Sequence, residues 1–156
     1  MSTGDGVVEI LAAERSDAPE LARLSTQLGY PMTPDQAVAR LAELTGHGDH
    51  LLLVARSGGR AAGWLQVSRT RIFETPDSAE IAGLVVDEAQ RGHGIGPRLL
   101  RAAEDWARRA GCRALRVRSN VIRERAHAFY RREGYRDVKQ QCVLEKPLSD
   151  DNEGRP

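Results

Sequence analysis

The spacing of polar and apolar positions changes several times along the chain, and each change marks an element. Val7 to Leu11 reads as a short strand. Asp17 with Glu20 three residues on reads as a capping box for a helix carrying Leu21, Leu24 and Leu28, which Gly29 ends. Thr33, Pro34 and Gln36 supply a cap, a first-turn proline and a second capping box for a helix running to about Leu44. Leu51 to Ala55 and Ala61 to Ser68 are strand-like, and Ser57-Gly58-Gly59-Arg60 between them is a tight hairpin signal. A looser connection, Thr70 to Ser78, leads into a mostly apolar strand, Glu80 to Val86. Leu99, Leu100, Ala103, Trp106, Ala107 and Ala110 then recur at helical spacing, and Gly111 follows Arg108 and Arg109 as a C-cap. A strand over Cys112 to Arg118 comes next, then a helix from about Ile122 to Glu133 closed by Gly134, and last a long strand from about Arg136 to Lys146. The expected order is β-α-α-β-β-β-α-β-α-β.

At 156 residues the chain is expected to be one domain, over residues 7–146, with a core that needs no metal or disulfide. Residues 1–5 and 147–156 are polar and marked by glycine or proline, as flexible tails are. No long apolar run or basic-then-apolar leader occurs, which predicts a cytoplasmic protein. A net charge of +1 gives no reason to expect a nucleic acid or a membrane as partner, although all basic residues but Lys139 and Lys146 are arginine. Cys112 and Cys142 lack metal-ligand spacing and read as core thiols, with no disulfide expected. His47 and His50 sit beside a glycine-rich turn without a third ligand, so no metal is expected.

Candidate chemistry begins at Gln90 to Leu100, QRGHGIGPRLL, where Gly92, Gly94 and Gly96 separate the apolar strand from the following helix. Glycines allow positive φ and let backbone amides approach a ligand, and the helix N-terminus adds partial positive charge. Such a segment suits a pyrophosphate. A P-loop is excluded because Pro97 and Arg98 stand where Lys and Ser/Thr are needed. A dinucleotide fingerprint is excluded too, since the spacing is G-x-G-x-G and no acidic residue closes the next strand.

The order of elements, QRGHGIG after LVVDEA, and SNVIRERAHAFYRREGY downstream together resemble the GCN5-related N-acetyltransferase (GNAT) family over about residues 7–146. The resemblance implies an α/β fold with a mixed, mostly antiparallel sheet, splayed at the cofactor site. It also implies acetyl-CoA as acetyl donor. Arg91, Gly94 and Gly96 match the family's pyrophosphate loop, which extends the expected contacts to Gly92, His93, Ile95, Pro97 and Arg98. Phe129-Tyr130 before Gly134-Tyr135 matches the tyrosine-bearing helix. In several members an asparagine seven positions before the tyrosine contacts the cofactor; Arg123 stands at that position here and Asn120 lies ten before Tyr130, so both are candidates for cofactor contact. The family's two strands after the tyrosine helix have room here for one, so a wall of the acceptor site is absent or comes from a homodimer partner.

Acetyl transfer to an amine needs an anchored donor, a polarised carbonyl, a deprotonated amine and a proton for the thiolate. The backbone of Leu84, Val85 and Val86 is expected beside the pantetheine, with Gly83 upstream as either a bulge that frees amides or a point of close packing. Tyr130 is the expected acid, against the alternative of a half-buried structural aromatic. Glu80, at the start of the same strand, is the expected base, directly or through water, against a solvated carboxylate. His127 reads as an orienting or surface residue. Segments Gln27 to Met32 and Thr70 to Ser78, with Tyr30, Phe73, Glu74 and Asp77, are expected to line the acceptor pocket. A small-molecule primary amine is the favoured acceptor, aminoglycoside-like amines among the candidates. The alternatives are a protein N-terminus or lysine, and a non-catalytic acyl-CoA-binding module.

Overall fold

The computed structural model describes residues 7–119 and 123–149. They belong to two compact units that divide after Asn120. In the first, β1 (Glu9–Ala12), α1 (Ala18–Leu28), α2 (Pro34–Thr45), β2 (His50–Ser57), β3 (Arg60–Ile72), β4 (Thr75–Val86), α3 (Ile95–Arg109) and β5 (Leu115–Val117) follow in chain order. The strands form one sheet in the order β1-β2-β3-β4-β5, antiparallel except for the parallel pair β4 and β5. The second unit contains α4 (Glu124–Arg132).

Alternation along β3 decides which helix covers which face. An added Cβ on Gly63 would lie 3.2 Å from Leu99 of α3 and 2.7 Å from the Val85 carbonyl, so this position faces α3 and has no room for a side chain. Leu65 and Val67, in step with it, are fully buried. Trp64 points to the opposite face, where it packs against a cluster that includes Leu21, Leu24 and Leu41 from α1 and α2.

Several local expectations hold for the physical reasons given. Thr33 accepts a bond from the Gln36 amide while the Gln36 side chain returns the interaction, completing the capping box of α2. Gly58 and Gly59 both take positive φ in the β2-β3 hairpin, as a two-residue primed turn requires.

Other expectations are corrected. Asp17 does not cap α1: its carboxylate accepts from the Glu14 amide and pairs with Arg56 at 2.7 Å. Glu20, the expected other half of that box, instead accepts from Arg23, Arg60 and the Ala61 amide. Local partners at Glu14 and Arg23 and distant ones at Arg56, Arg60 and the Ala61 amide take the place of the expected cap. Thr70 to Ser78 is no loose connection, since β3 and β4 pair out to Ile72 and Thr75 and leave Phe73 and Glu74 at the tip. The strand expected from Cys112 starts at Leu115, because the Cys112 amide is spent on the Ala107 carbonyl behind Gly111, whose φ is 78°.

The strand expected over Arg136 to Lys146 is absent: residues 136–149 have no regular secondary structure and are exposed throughout. Val138, Cys142 and Leu144 share a period, but three polar residues separate the first two, so little apolar area is available to hold a strand against a sheet. Cys142 is accordingly exposed rather than in the core, and Cys112 is half-buried; both thiols are free.

Candidate active site

The glycine segment forms a loop of backbone donors on a rigid base. A short 3-10 turn, Glu88–Gln90, separates it from β4. Gly92 and Gly94 have φ of 83° and 75°, and an added Cβ on either would meet nothing within 4 Å. Open space lies over both. Gly94 is the N-cap of α3 and offers no side chain, the first turn contains no acidic residue, and Pro97 has no N–H. The amides of Ile95 and Gly96 therefore lie in the turn where a helix lacks internal acceptors, at its positive end. Gly96 is buried within the helix, unlike the exposed Gly92 and Gly94. Arg91 is exposed, His93 Nδ1 lies 3.1 Å from the Gln90 carbonyl, and Arg98 donates to the Val8 carbonyl at 2.7 Å. Arg98 thus ties the helix start to the residue that precedes β1.

β4 supplies the second part. Its pairing with β5 covers Ala79, Glu80 and Ile81 and then stops, while its pairing with β3 continues to Val86. Beyond Ile81, β4 has an open edge on the β5 side among the described residues, along Leu84, Val85 and Val86. The register against β3 shifts where the edge opens, because Ile81 pairs with Val67 and Gly83 with Gln66, leaving Ala82 as the extra residue. The bulge is real and lies one position before Gly83. Gly83 itself answers to packing: an added Cβ would lie 2.9 Å from two ring carbons of Trp64.

Glu80 is half-buried and bridges to Arg118 Nε through Oε1 at 2.8 Å. It pairs with Ser68, so it shares a sheet face with Gln66 and Trp64. The carboxylate therefore sits two residue positions along that face from Gln66, which stands opposite the bulge.

Asp87, which the sequence reading passed over, fastens the loop to the rest of the unit. Its amide donates to the Ala62 carbonyl, and its carboxylate accepts from Arg23, Gln27 and the Ala89 amide. Burial works upward on this carboxyl, but the Ala89 amide, Gln27 and Arg23 together hold it below the usual range. The local signal was Asp-x-Ala after an apolar strand, an Asx turn. Its partners on α1 were invisible in the sequence.

In the second unit, Arg123 precedes α4 as its N-cap and is exposed. Tyr130 is buried near the end of the same helix, with ring centroids 5.1 Å from Phe129 and 5.7 Å from Tyr135. Burial pushes its phenol up to about 12. Gly134, at φ 95°, lets the Tyr135 amide bond back to the Tyr130 carbonyl and closes the helix. Asn120 lies outside the described residues.

Of the acceptor-lining candidates, Tyr30 and Phe73 are exposed. The Arg69 guanidinium beside Asp77 holds its carboxyl below the usual range, with Arg71 nearby. That carboxylate is already occupied. His47 and His50 stack edge to face at 6.2 Å, and no metal-holding cluster of His, Cys, Asp and Glu occurs among the described residues. Nor is any described helix long and apolar enough to cross a membrane.

The chain and its fold resemble known proteins. The sequence model of the acetyltransferase (GNAT) family matches residues 15–135. The chain is 38% identical to an N-alpha-acetyltransferase, RimI, of Mycobacterium tuberculosis over 84% of this chain and 80% of the relative. It is 47% identical to an aminoalkylphosphonate N-acetyltransferase of Salmonella typhimurium over 72% of this chain and 71% of the relative. Among solved structures, an aminoglycoside N-acetyltransferase in complex with CoA superposes with a TM-score of 0.83 at 16% identity, covering 94% of this chain and 99% of that one.

Proposed function

This chain belongs to the GNAT acetyltransferase family and is an N-acetyltransferase, and from that premise we propose that it moves an acetyl group from acetyl-CoA to the primary amine of a small molecule, by direct attack in a ternary complex. The observation that carries the reading is the uncapped start of α3 behind Gly92 and Gly94, a donor-lined cradle with nothing of the protein in it. A bound pyrophosphate satisfies the Ile95 and Gly96 amides there, with Arg91 supplying charge and His93, Pro97 and Arg98 shaping the walls. Leu84, Val85 and Val86 offer the open edge of β4 to the amide-bearing pantetheine arm, as a neighbouring strand would. Asn120 and Arg123 are the remaining candidates for cofactor contact.

Bound acetyl-CoA supplies the activated acyl carbon, and the chain supplies placement and protons. The amine nitrogen bonds to that carbon as the carbon-sulfur bond breaks, so one proton must leave nitrogen and one must reach sulfur. Glu80 takes the first, through water or directly, with Arg118 fixing its side chain. Amides freed at the Ala82 bulge stabilise the growing negative charge on oxygen. Tyr130 donates to the departing sulfur. A phenol near 12 keeps its proton at any physiological pH, and against a thiol of about 8.5 it holds the departing sulfur by a hydrogen bond, so that sulfur leaves as a stabilised thiolate and takes its proton from solvent.

The test is calorimetry with a Gly92→Val, Gly94→Val double variant, beside thiol release from acetyl-CoA across an amine panel that includes aminoglycosides. Both positions are exposed, so the change fills the cradle without touching the core. Loss of acetyl-CoA binding in a folded variant supports the assignment, and undiminished binding overturns it. Turnover of any amine rules out the pure binding module. The resemblance to an N-alpha-acetyltransferase supports a second acceptor, a protein N-terminus, and peptide amines belong in the panel for that reason.

The free thiols suit a reducing compartment, and we assign the protein to the cytoplasm. A second copy of the chain covers the exposed Val138, Val143 and Leu144 in a homodimer. Light scattering showing a monomer at high micromolar concentration overturns that assembly.

A further inference from the structure

On the face of the sheet shared by Glu80 and the bulge, the structure holds a half-open cavity of 170 Å³, closed by α1, α2, β2 and β3. Its wall is mostly aliphatic, with Leu21, Leu41, Trp64, Gln66, Ser25 and Arg40 as the side chains that decide its chemistry. Three features point to a ligand. First, Gln66 stands opposite Gly83, where β4 bulges, so the cavity reaches the place where the acyl carbon is expected. Second, the Trp64 indole Nε1 is the buried side-chain nitrogen or oxygen without a hydrogen-bond partner among the described residues. An orphaned donor of that kind calls for a partner that arrives later. Third, Arg40 is the one charged residue of the wall and enters none of the ion pairs among the described residues.

Resting on the acetyltransferase reading, we propose that this cavity is the acceptor pocket and that it takes a small amine carrying an oxyanion, a carboxylate or phosphonate, at its far end. The guanidinium of Arg40 pairs with the oxyanion at the mouth, where a planar fork of donors suits two oxygens of one acidic group. A small movement of the indole ring or of its neighbours brings the Trp64 N–H onto a ligand oxygen. The aliphatic wall receives the spacer, and the amine lies toward Gln66, on the side of Glu80. From Trp64 to the position opposite Gly83 is two residues along β3, about 7 Å, which a short spacer covers. Size and charge argue against larger cationic acceptors. The volume lies below the roughly 300–1,000 Å³ of pockets that engulf drug-sized ligands. No carboxylate lines the wall to receive a polycation.

The experiment uses the full chain and two readouts. In the first, aminopropylphosphonate is titrated against the ¹⁵N-labelled protein while the indole N–H resonances are followed. The chain has 2 tryptophans, Trp64 and Trp106, and a Trp64→Phe variant assigns the signals. A saturable shift of the Trp64 signal, with Trp106 unmoved, is expected and needs no turnover. In the second, thiol release is compared for aminopropylphosphonate and β-alanine against propylamine and aminopropanol. The oxyanionic amines should have kcat/KM higher by about ten-fold or more, the fold-change of one charge-assisted hydrogen bond. Arg40→Gln, an exposed change on α2, should erase that preference through KM while leaving acetyl-CoA affinity unchanged. Equal kcat/KM for charged and neutral amines, or a preference that survives Arg40→Gln, overturns the pocket. A Trp64 shift without thiol release from any amine leaves the pocket standing and overturns the small-amine acetyltransferase reading instead.

Discussion

The two halves of the proposed site are built in opposite ways. The donor half is a single run, Asp87 to Arg98, in which turn, glycines, missing cap and helix start follow one another in the chain. The acceptor half is assembled from α1, α2, β2 and β3, and its deciding residues, Ser25, Arg40, Trp64 and Gln66, span some forty positions. A backbone cradle needs only glycine and a helix N-terminus, so it can be written locally and recognised anywhere. A pocket that chooses among amines needs side chains that converge, and convergence is a property of the fold. Chemistry common to all acetyl transfers thus lies in contiguous sequence, whereas the choice of acceptor lies in tertiary packing.

The largest expected effect breaks the first half alone. Valine at Gly92 and Gly94 places branched side chains at φ of 83° and 75° and fills the space over the helix start. Acetyl-CoA affinity should fall by about 100-fold or more, some 3 kcal/mol, while the indole shift caused by aminopropylphosphonate persists. Calorimetry and the NMR titration on one sample check both. Loss of both signals in a folded protein would mean that the halves are not independent.

Tyr130→Phe comes next. It keeps the ring against Phe129 and Tyr135 and removes only the hydroxyl. Turnover should drop by about ten-fold or more, a modest demand beside the roughly 10² to 10⁴ usual for general acids, with acetyl-CoA affinity little altered. Single-turnover rates at saturating acetyl-CoA decide the matter, and a variant as fast as the wild type returns Tyr130 to a structural role.

A smaller effect sharpens the boundary between the halves. Gly83 lies beside the bulge, and its missing Cβ leaves room for the Trp64 ring. Gly83→Ala must push that ring by a few tenths of an ångström or more, an overpacking that costs about 1–3 kcal/mol. The amine KM should rise more than the acetyl-CoA Kd. An alanine variant with both constants and its stability unchanged would show that Gly83 is there for the bulge alone.

The same contrast explains what the sequence could and could not convey. The glycine segment, the capping box at Thr33, the Ser57 to Arg60 hairpin and the closing turn at Gly134 depend on neighbours within a few residues, and each was legible. Asp17 and Glu20 looked like a cap by spacing, yet Arg56, Arg60 and the Ala61 amide lie about forty residues away and offer stronger partners. The Arg136 to Lys146 segment has the period of a strand without the apolar area to hold one. Thr70 to Ser78 has turn residues, but its ends pair because the strands before and after it are already in register. Arg40 on α2 reads as one more solvated arginine until the fold brings it to the mouth of a cavity that Trp64 lines.

The smallest expected effect concerns pH and tests the burial of Tyr130 apart from its catalysis. Its phenol stands at about 12 in the folded chain against an ordinary value of 10. Below pH 10 both folded and unfolded chains hold the proton, and the advantage of the neutral buried phenol is fully present. Between about 10 and 12 the unfolded chain releases its proton first, so it binds fewer protons than the native state and stability must fall as pH rises. Near pH 11 the loss from this one group is on the order of 1 kcal/mol. Urea unfolding of the wild type and Tyr130→Phe, each at neutral pH and near pH 11, isolates it, because every other ionisable group is common to both proteins. The wild type should lose more stability than the variant by that amount. Equal losses would mean that the phenol is solvated in the native state, and the case for Tyr130 as a hydrogen-bond donor held ready in a dry setting would lose its physical basis.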